Sequence, residues 1–169
     1  MFEIGQHVIH PGQGVCTVVG FANDGPAPMI LLSAHSGRAE THLCYPVSQQ
    51  DRLHEAISRE EAELLLATYA DLDVDTFTER NSALEETHFK QQLKLGAPET
   101  VRVAKTMRRR IAEAQARGKK PSSYYNRVLK EARRRSIEEF AVALEAEEAE
   151  IESRFMAAAA AAGELAALN

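Results

Sequence analysis

Near residue 58 the apolar residues of this chain change their spacing, from every second position to one or two in each helical turn. The chain is therefore pleated before that point and helical after it. In "HVIHPGQGVCTVVGF" alternation runs through Val8 and Ile9 and breaks at Pro11-Gly12. It resumes with Val15, Thr17 and Val19 on one face and Cys16 and Val18 on the other. Proline's fixed φ and glycine's missing side chain favour a turn at the break. "MILLSA" follows the turn-rich "NDGPAP", and "THLCYPV" follows "HSGRA". Each run is short, rich in β-formers and bounded by turn residues. Residues 2–47 are predicted to form four or five strands of a small bent sheet or barrel.

After the change of period, Ser58 and Glu61 have the spacing of a capping box, and Leu64, Leu65 and Tyr69 supply an apolar face. Thr76 and Glu79 repeat the capping spacing before a polar helix that Gly96 stops. Pro98 suits a first helical turn, and Val101, Ala104, Met107, Ile111 and Ala114 then recur at helical spacing. Gly118 suits a left-handed stop. Ser122 or Ser123 can cap a last helix, which is expected to run on through Phe140, Leu144, Ile151 and Phe155. The closing "MAAAAAAGELAALN" favours helix but offers little beyond Leu165 and Leu168 to bury, so a frayed or partner-dependent tail is expected. The predicted class is α+β, a small β-barrel or bent sheet followed by an all-α helical bundle. Its parts are a β-domain over 1–54, a helical domain over 55–155 and a flexible Ala-rich tail over 156–169.

Composition narrows the function. Tryptophan is absent and aromatic residues make up 6%, which disfavours a rigid aromatic platform. No apolar run is long enough to cross a bilayer, and the first residues lack a secretory signal's layout, so a cytoplasmic protein is expected. Cys16 and Cys44 form no metal or redox motif and read as small buried strand residues. His10, His35, His42 and Cys44 match no familiar zinc spacing, so no metal or cofactor is expected. "HPGQGV" lacks the spacing and the lysine of a phosphate loop. No serine or cysteine sits in a nucleophile elbow. The chain is read as a non-enzyme.

The net charge of −5 conceals a segregation. Residues 1–96 carry 6 basic and 14 acidic side chains, residues 97–135 carry 13 and 3, and residues 136–169 carry 1 and 8. Arg102, Lys105, Arg108, Arg109 and Arg110 fall on the non-apolar side of one predicted helix. Lys119 and Lys120 fall at the connection, and Arg127, Lys130, Arg133, Arg134 and Arg135 on the next helix. Such a concentration suits a polyanion, since cationic arms neutralise phosphates and release counterions. It predicts no reading of base sequence.

The order of these parts resembles the CarD/CdnL family of bacterial transcription regulators. "FEIGQHVIHPGQGVCTVVGF" is similar to that family's opening, a Val-rich strand and Pro-x-x-Gly before a second strand. "LCYPV" sits at the family's strand-end proline, and "VAKTMRRRIAEAQARGKKPSSYYNRVLKEARRRSIEEFAVAL" resembles its helical half. The likeness covers roughly residues 1–145. It implies a Tudor-like β-domain docking on the RNA polymerase β subunit, with Ile30, Leu31, Leu32, Arg38, Leu43, Tyr45 and Pro46 as contacts. It also implies a nucleoid-associated location and helices touching the promoter DNA backbone through the basic residues above, which modulates open-complex stability. Where the family has a Trp wedge after Asn81, this chain has Ser82, followed by Leu84, Glu85 and Glu86. The alternative is a protein–protein adaptor that keeps the docking and no longer touches DNA.

Overall fold

The computed structural model describes residues 1–36 and 39–164. The protein is α+β and divides into two compact units, Met1–Ala56 and Ile57–Asn169. The first unit is an open antiparallel sheet of β1 (His7–His10), β2 (Gly14–Ala22), β3 (Met29–Ser36), β4 (Ala39–Pro46) and β5 (His54–Glu55), in the order β4-β3-β2-β1-β5. A 3₁₀ turn, Val47–Arg52, joins β4 to β5.

The His-Pro-Gly-Gln-Gly break is a hairpin turn held from inside. His10 Nδ1 accepts hydrogen bonds from the backbone N–H groups of Gly12 and Gln13, both at 3.0 Å. Gly14 then closes the turn at φ 80°, a conformation that a side chain would strain. The strand alternation puts Val8, Cys16, Val18, Ile30 and Leu32 on one buried face, with Leu53 packed over them. Opposite pairs such as Val18 with Leu32, Leu32 with Leu43 and Ile30 with Tyr45 keep that face in register. A bulge at Val19 lets β2 bend. Cys44 departs from expectation: Cys16 is buried, whereas Cys44 is exposed on the outermost strand.

The second unit contains α1 (Arg59–Ala67), α2 (Ser82–Gln92), α3 (Ala97–Ala116), α4 (Ser123–Leu144) and α5 (Glu148–Ala161), with a 3₁₀ turn at Tyr69–Asp71. Ser58 and Glu61 form the full reciprocal capping box. Pro98 lies in the first turn of α3, and Gly118 follows its end at φ 66°. The apolar stripes of the long helices α3 and α4 serve two cores. Val101 and Phe140 pack with Leu66, Tyr69, Ile151 and Phe155 in one. Val103, Met107 and Val128 pack with Phe89 and Tyr124 in the other.

Three expectations need correction. The cap of α2 is Asn81, whose side chain accepts from the Ala83 N–H at 2.9 Å, rather than Thr76. The last helix does not run on to Phe155. It stops at Leu144 with Glu145 left-handed at φ 51°, and a separate α5 folds back. The Ala-rich stretch is no loose tail up to residue 164. Phe155 and Ala159 are buried in a core, and Glu164 accepts a hydrogen bond from the Tyr69 hydroxyl at 2.7 Å. Alanines let α5 approach its neighbours closely, so small residues bury more than their size suggests. Leu165 and Leu168 lie outside the described residues.

Candidate functional site

The basic stretch is split by its own fold into buried, paired and free charges. Lys105 is 4% exposed, and its Nζ donates to the carbonyls of Tyr69, Ala70 and Leu72 at 2.7, 2.9 and 2.8 Å. All three ammonium donors are thereby used on the backbone of the 3₁₀ turn and the residue that follows it, with the Tyr69 ring 5.1 Å away. Arg108 is equally buried, and its Nη1 donates to the Tyr69 hydroxyl at 2.9 Å. Burial holds the Tyr69 phenol above its ordinary pKa, so it stays a neutral hydroxyl. Lys105 and Arg108 are therefore buried inside the helical unit, which corrects their placement on its exposed polar side. A periodicity that shows apolar residues on one stripe does not show how far neighbouring elements wrap round it.

Arg110 is also largely enclosed. It donates to the Phe77 carbonyl and, at 3.3 Å, to the Tyr124 hydroxyl, and it lies 3.5 Å from Glu85 Oε2. Its guanidinium sits over the Phe89 ring at 4.9 Å. Tyr124 donates to Glu85, whose other oxygen accepts the Glu79 N–H at 2.8 Å. Burial first, and then the Glu85 carboxylate, push the Tyr124 hydroxyl's pKa up. Glu85 is therefore a link between α2, α3 and α4 and not a surface charge facing phosphates.

The arginines of α4 are engaged as well. Arg127 pairs with Glu86 at 2.9 Å, Arg133 with Glu152 of α5, and Arg134 with Glu131 at 2.8 Å and Glu138 at 2.9 Å. Arg135 pairs with Glu131 at 2.8 Å. Hydrogen bonds from Arg134, joined by Arg135, hold the Glu131 carboxyl at about 2, and Arg127 with Lys90 holds Glu86 at about 2. Both therefore remain ionised partners at any ordinary pH. Arg102 lies 3.5 Å from Glu99.

Four of the expected DNA contacts remain exposed with no ion pair among the described residues: Arg109, Lys119, Lys120 and Lys130. Lys119 and Lys120 line a shallow cleft of about 300 Å³ where α3 turns into α4. Arg117 lines it too and belongs with them. In the sequence, Arg117 stands out only as the neighbour of a capping glycine. Here the backbone leaves the helix, so three side chains spread into solvent with little to bury them.

The expected polymerase contacts also divide. Ile30 and Leu32 are buried in the sheet core, at 1% and 0% exposure, and β3 already has strands on both sides. They hold the sheet together and do not present side chains. Leu31, Leu43, Tyr45 and Pro46 are half-buried, and Arg38 lies outside the described residues. Among the described residues β4 forms one edge of the sheet, beside β3, and the two-residue β5 forms the other, beside β1, so β4 is the longer edge open to a partner. Its exposed positions Glu40, Thr41, His42 and Cys44 were not among the expected contacts. An edge strand carries a row of backbone donors and acceptors without a ladder partner.

Among the described residues, no helix is long and apolar enough to cross a membrane. No known family model matches the chain, and no curated protein matches its sequence.

Proposed function

We propose that this chain is a non-enzymatic transcription regulator of the CarD/CdnL type, whose Tudor-like β-unit docks on the RNA polymerase β subunit and whose helical unit touches promoter DNA phosphates. The observation that carries the reading is the open edge of β4. A partner strand added there gains affinity through main-chain hydrogen bonds, and the half-buried Leu43 and Tyr45 beside it supply selectivity. The DNA contact is confined to Arg117, Lys119 and Lys120 at the α3–α4 turn, with Arg109 and Lys130 as outliers. A patch this small binds weakly, without base readout, and is abolished by modest salt.

A second reading, an adaptor that docks on polymerase without touching DNA, is favoured by the internal use of Lys105, Arg108, Arg110, Arg127, Arg133 and Arg134. The absence of a wedge at Ser82 favours it too.

Co-purification with RNA polymerase tests the docking. Successive N–H groups along a strand point to opposite edges. Single proline substitutions at Thr41 and His42 therefore remove one outward donor and one β3-facing donor. The outward variant should keep its fold and lose polymerase, and full retention by both variants removes the edge from the mechanism. Retention on DNA resin then separates the two readings. Reversal of Lys119 and Lys120 should lower the salt slope by roughly one for each phosphate that is no longer neutralised. A native chain that never binds DNA at low salt leaves the adaptor.

A further inference from the structure

Residues 117–122 join α3 to α4 and end in a serine whose hydroxyl has no hydrogen-bond partner among the described residues. Ser122 holds the N-cap position of α4, yet its side chain caps nothing, and the first turn carries no acidic residue. Its backbone is extended, at φ −58° and ψ 136°, with Pro121 before it. Ser123 differs: it lies inside the helix, and its hydroxyl accepts from Arg127 at 3.4 Å. Ser122 is half-buried at the wall of the cleft of about 300 Å³ that Arg117, Lys119 and Lys120 line. Glu85, Arg110 and Glu113 also face this cleft. The first two lie 3.5 Å apart and cancel. Three cations less the Glu113 carboxylate leave two positive charges beside the idle hydroxyl.

We infer that Ser122 is a phosphorylation site whose phosphate seats among Arg117, Lys119 and Lys120 and withdraws them from other polyanions. A kinase transfers the terminal phosphoryl group of a nucleoside triphosphate. The bond from phosphorus to Oγ forms, the bond to the departing nucleoside diphosphate breaks, and the hydroxyl proton leaves to solvent. Phosphoserine carries about 1.5–2 negative charges at neutral pH, which matches the local excess. Its oxygens also suit the α4 N–H groups that no side chain caps. Lys119 and Lys120, three and two positions before Ser122, form the charge pattern that serine kinases with an acidic substrate groove select. As regulation of DNA contact the switch rests on the function proposed above, whereas the seating of the phosphate does not.

Phosphopeptide mapping of the chain isolated from its own host across growth phases should place a phosphate on Ser122. Its absence from every phase overturns the site. Phosphoserine installed at position 122 of the full chain by codon reassignment tests the seating. In ³¹P NMR its second ionisation should fall clearly below the free value of about 6. The unfolding midpoint should rise by roughly 2–4 °C. A phosphate that titrates at the free value with an unmoved midpoint is solvated and overturns the proposal. Lys119→Ala combined with Lys120→Ala should return the titration towards the free value, and an unchanged titration also overturns it. Phosphorylation should lower retention on DNA resin and reduce the salt slope by roughly two. Retention unchanged by a seated phosphate overturns the switch. A phosphate that seats on a chain unable to hold DNA when unmodified supports the site and sinks the DNA reading alone.

Discussion

The Glu139 carboxylate in α4 accepts a 3.1 Å hydrogen bond from the backbone N–H of Ile57, the first residue of the helical unit. Glu139 is 4% exposed and has no cationic partner among the described residues, so burial pushes its pKa up to about 7, with Glu61 adding to the effect. The unfolded chain gives up this proton near the ordinary 4.5 and the folded chain keeps it to about 7. Between those values the native state holds more protons, so stability must fall as pH rises. We expect denaturant unfolding to show a loss on the order of 2 kcal/mol between pH 5 and pH 7. Glu139→Gln, which can still accept from Ile57, should flatten that slope. A pH-independent wild type would contradict the assignment.

Lys105→Met should destabilise the helical unit by roughly 2–4 kcal/mol, because three backbone carbonyls lose charge-assisted donors together. Urea titration at constant m-value reads the change. The same substitution should leave retention on DNA resin untouched, and any loss there would return Lys105 to the surface.

Phe155→Ala should cost about 3–5 kcal/mol, the range for deleting a buried aromatic ring. Its ring packs 4.8 Å from that of Phe140 in a core that also holds Ile151 and Ala159. A change below about 1 kcal/mol in thermal or denaturant unfolding, well under the range for such a deletion, would mean that α5 contributes little to the fold.

The two thiols should differ sharply towards an alkylating reagent under native conditions. Cys44 is exposed and should react within the time course of a small-molecule thiol, whereas Cys16 should wait for unfolding. Mass spectrometry of the singly modified chain identifies which residue was taken.

What can be read directly from the sequence is local. The Ser58–Glu61 box, Pro98 in a first turn and Gly118 after a helix each act within four residues, and each occurs in the structure. The break between α4 and α5 is invisible there because Glu145 occupies a left-handed position that glycine or asparagine would have announced. Thr76 and Asn81 both have the chemistry of a cap, and only the folded backbone selects Asn81. The fate of the basic residues is illegible for a different reason. Glu85 and Glu86 come from α2 and Glu152 from α5, so the neutralisation of Arg110, Arg127 and Arg133 is tertiary. Counting charges within one helix finds only i,i+3 and i,i+4 pairs such as Arg134 with Glu131 and Glu138.

The grip of Lys105 on the turn at residues 69–71 also orders events during synthesis. Its acceptors precede it by 33 to 36 positions, so that turn leaves the ribosome well before its fastener exists. A single short turn has almost no stability of its own. The segment after α1 must therefore stay open until α3 has been made, and the first half of the helical unit matures only when its second half arrives.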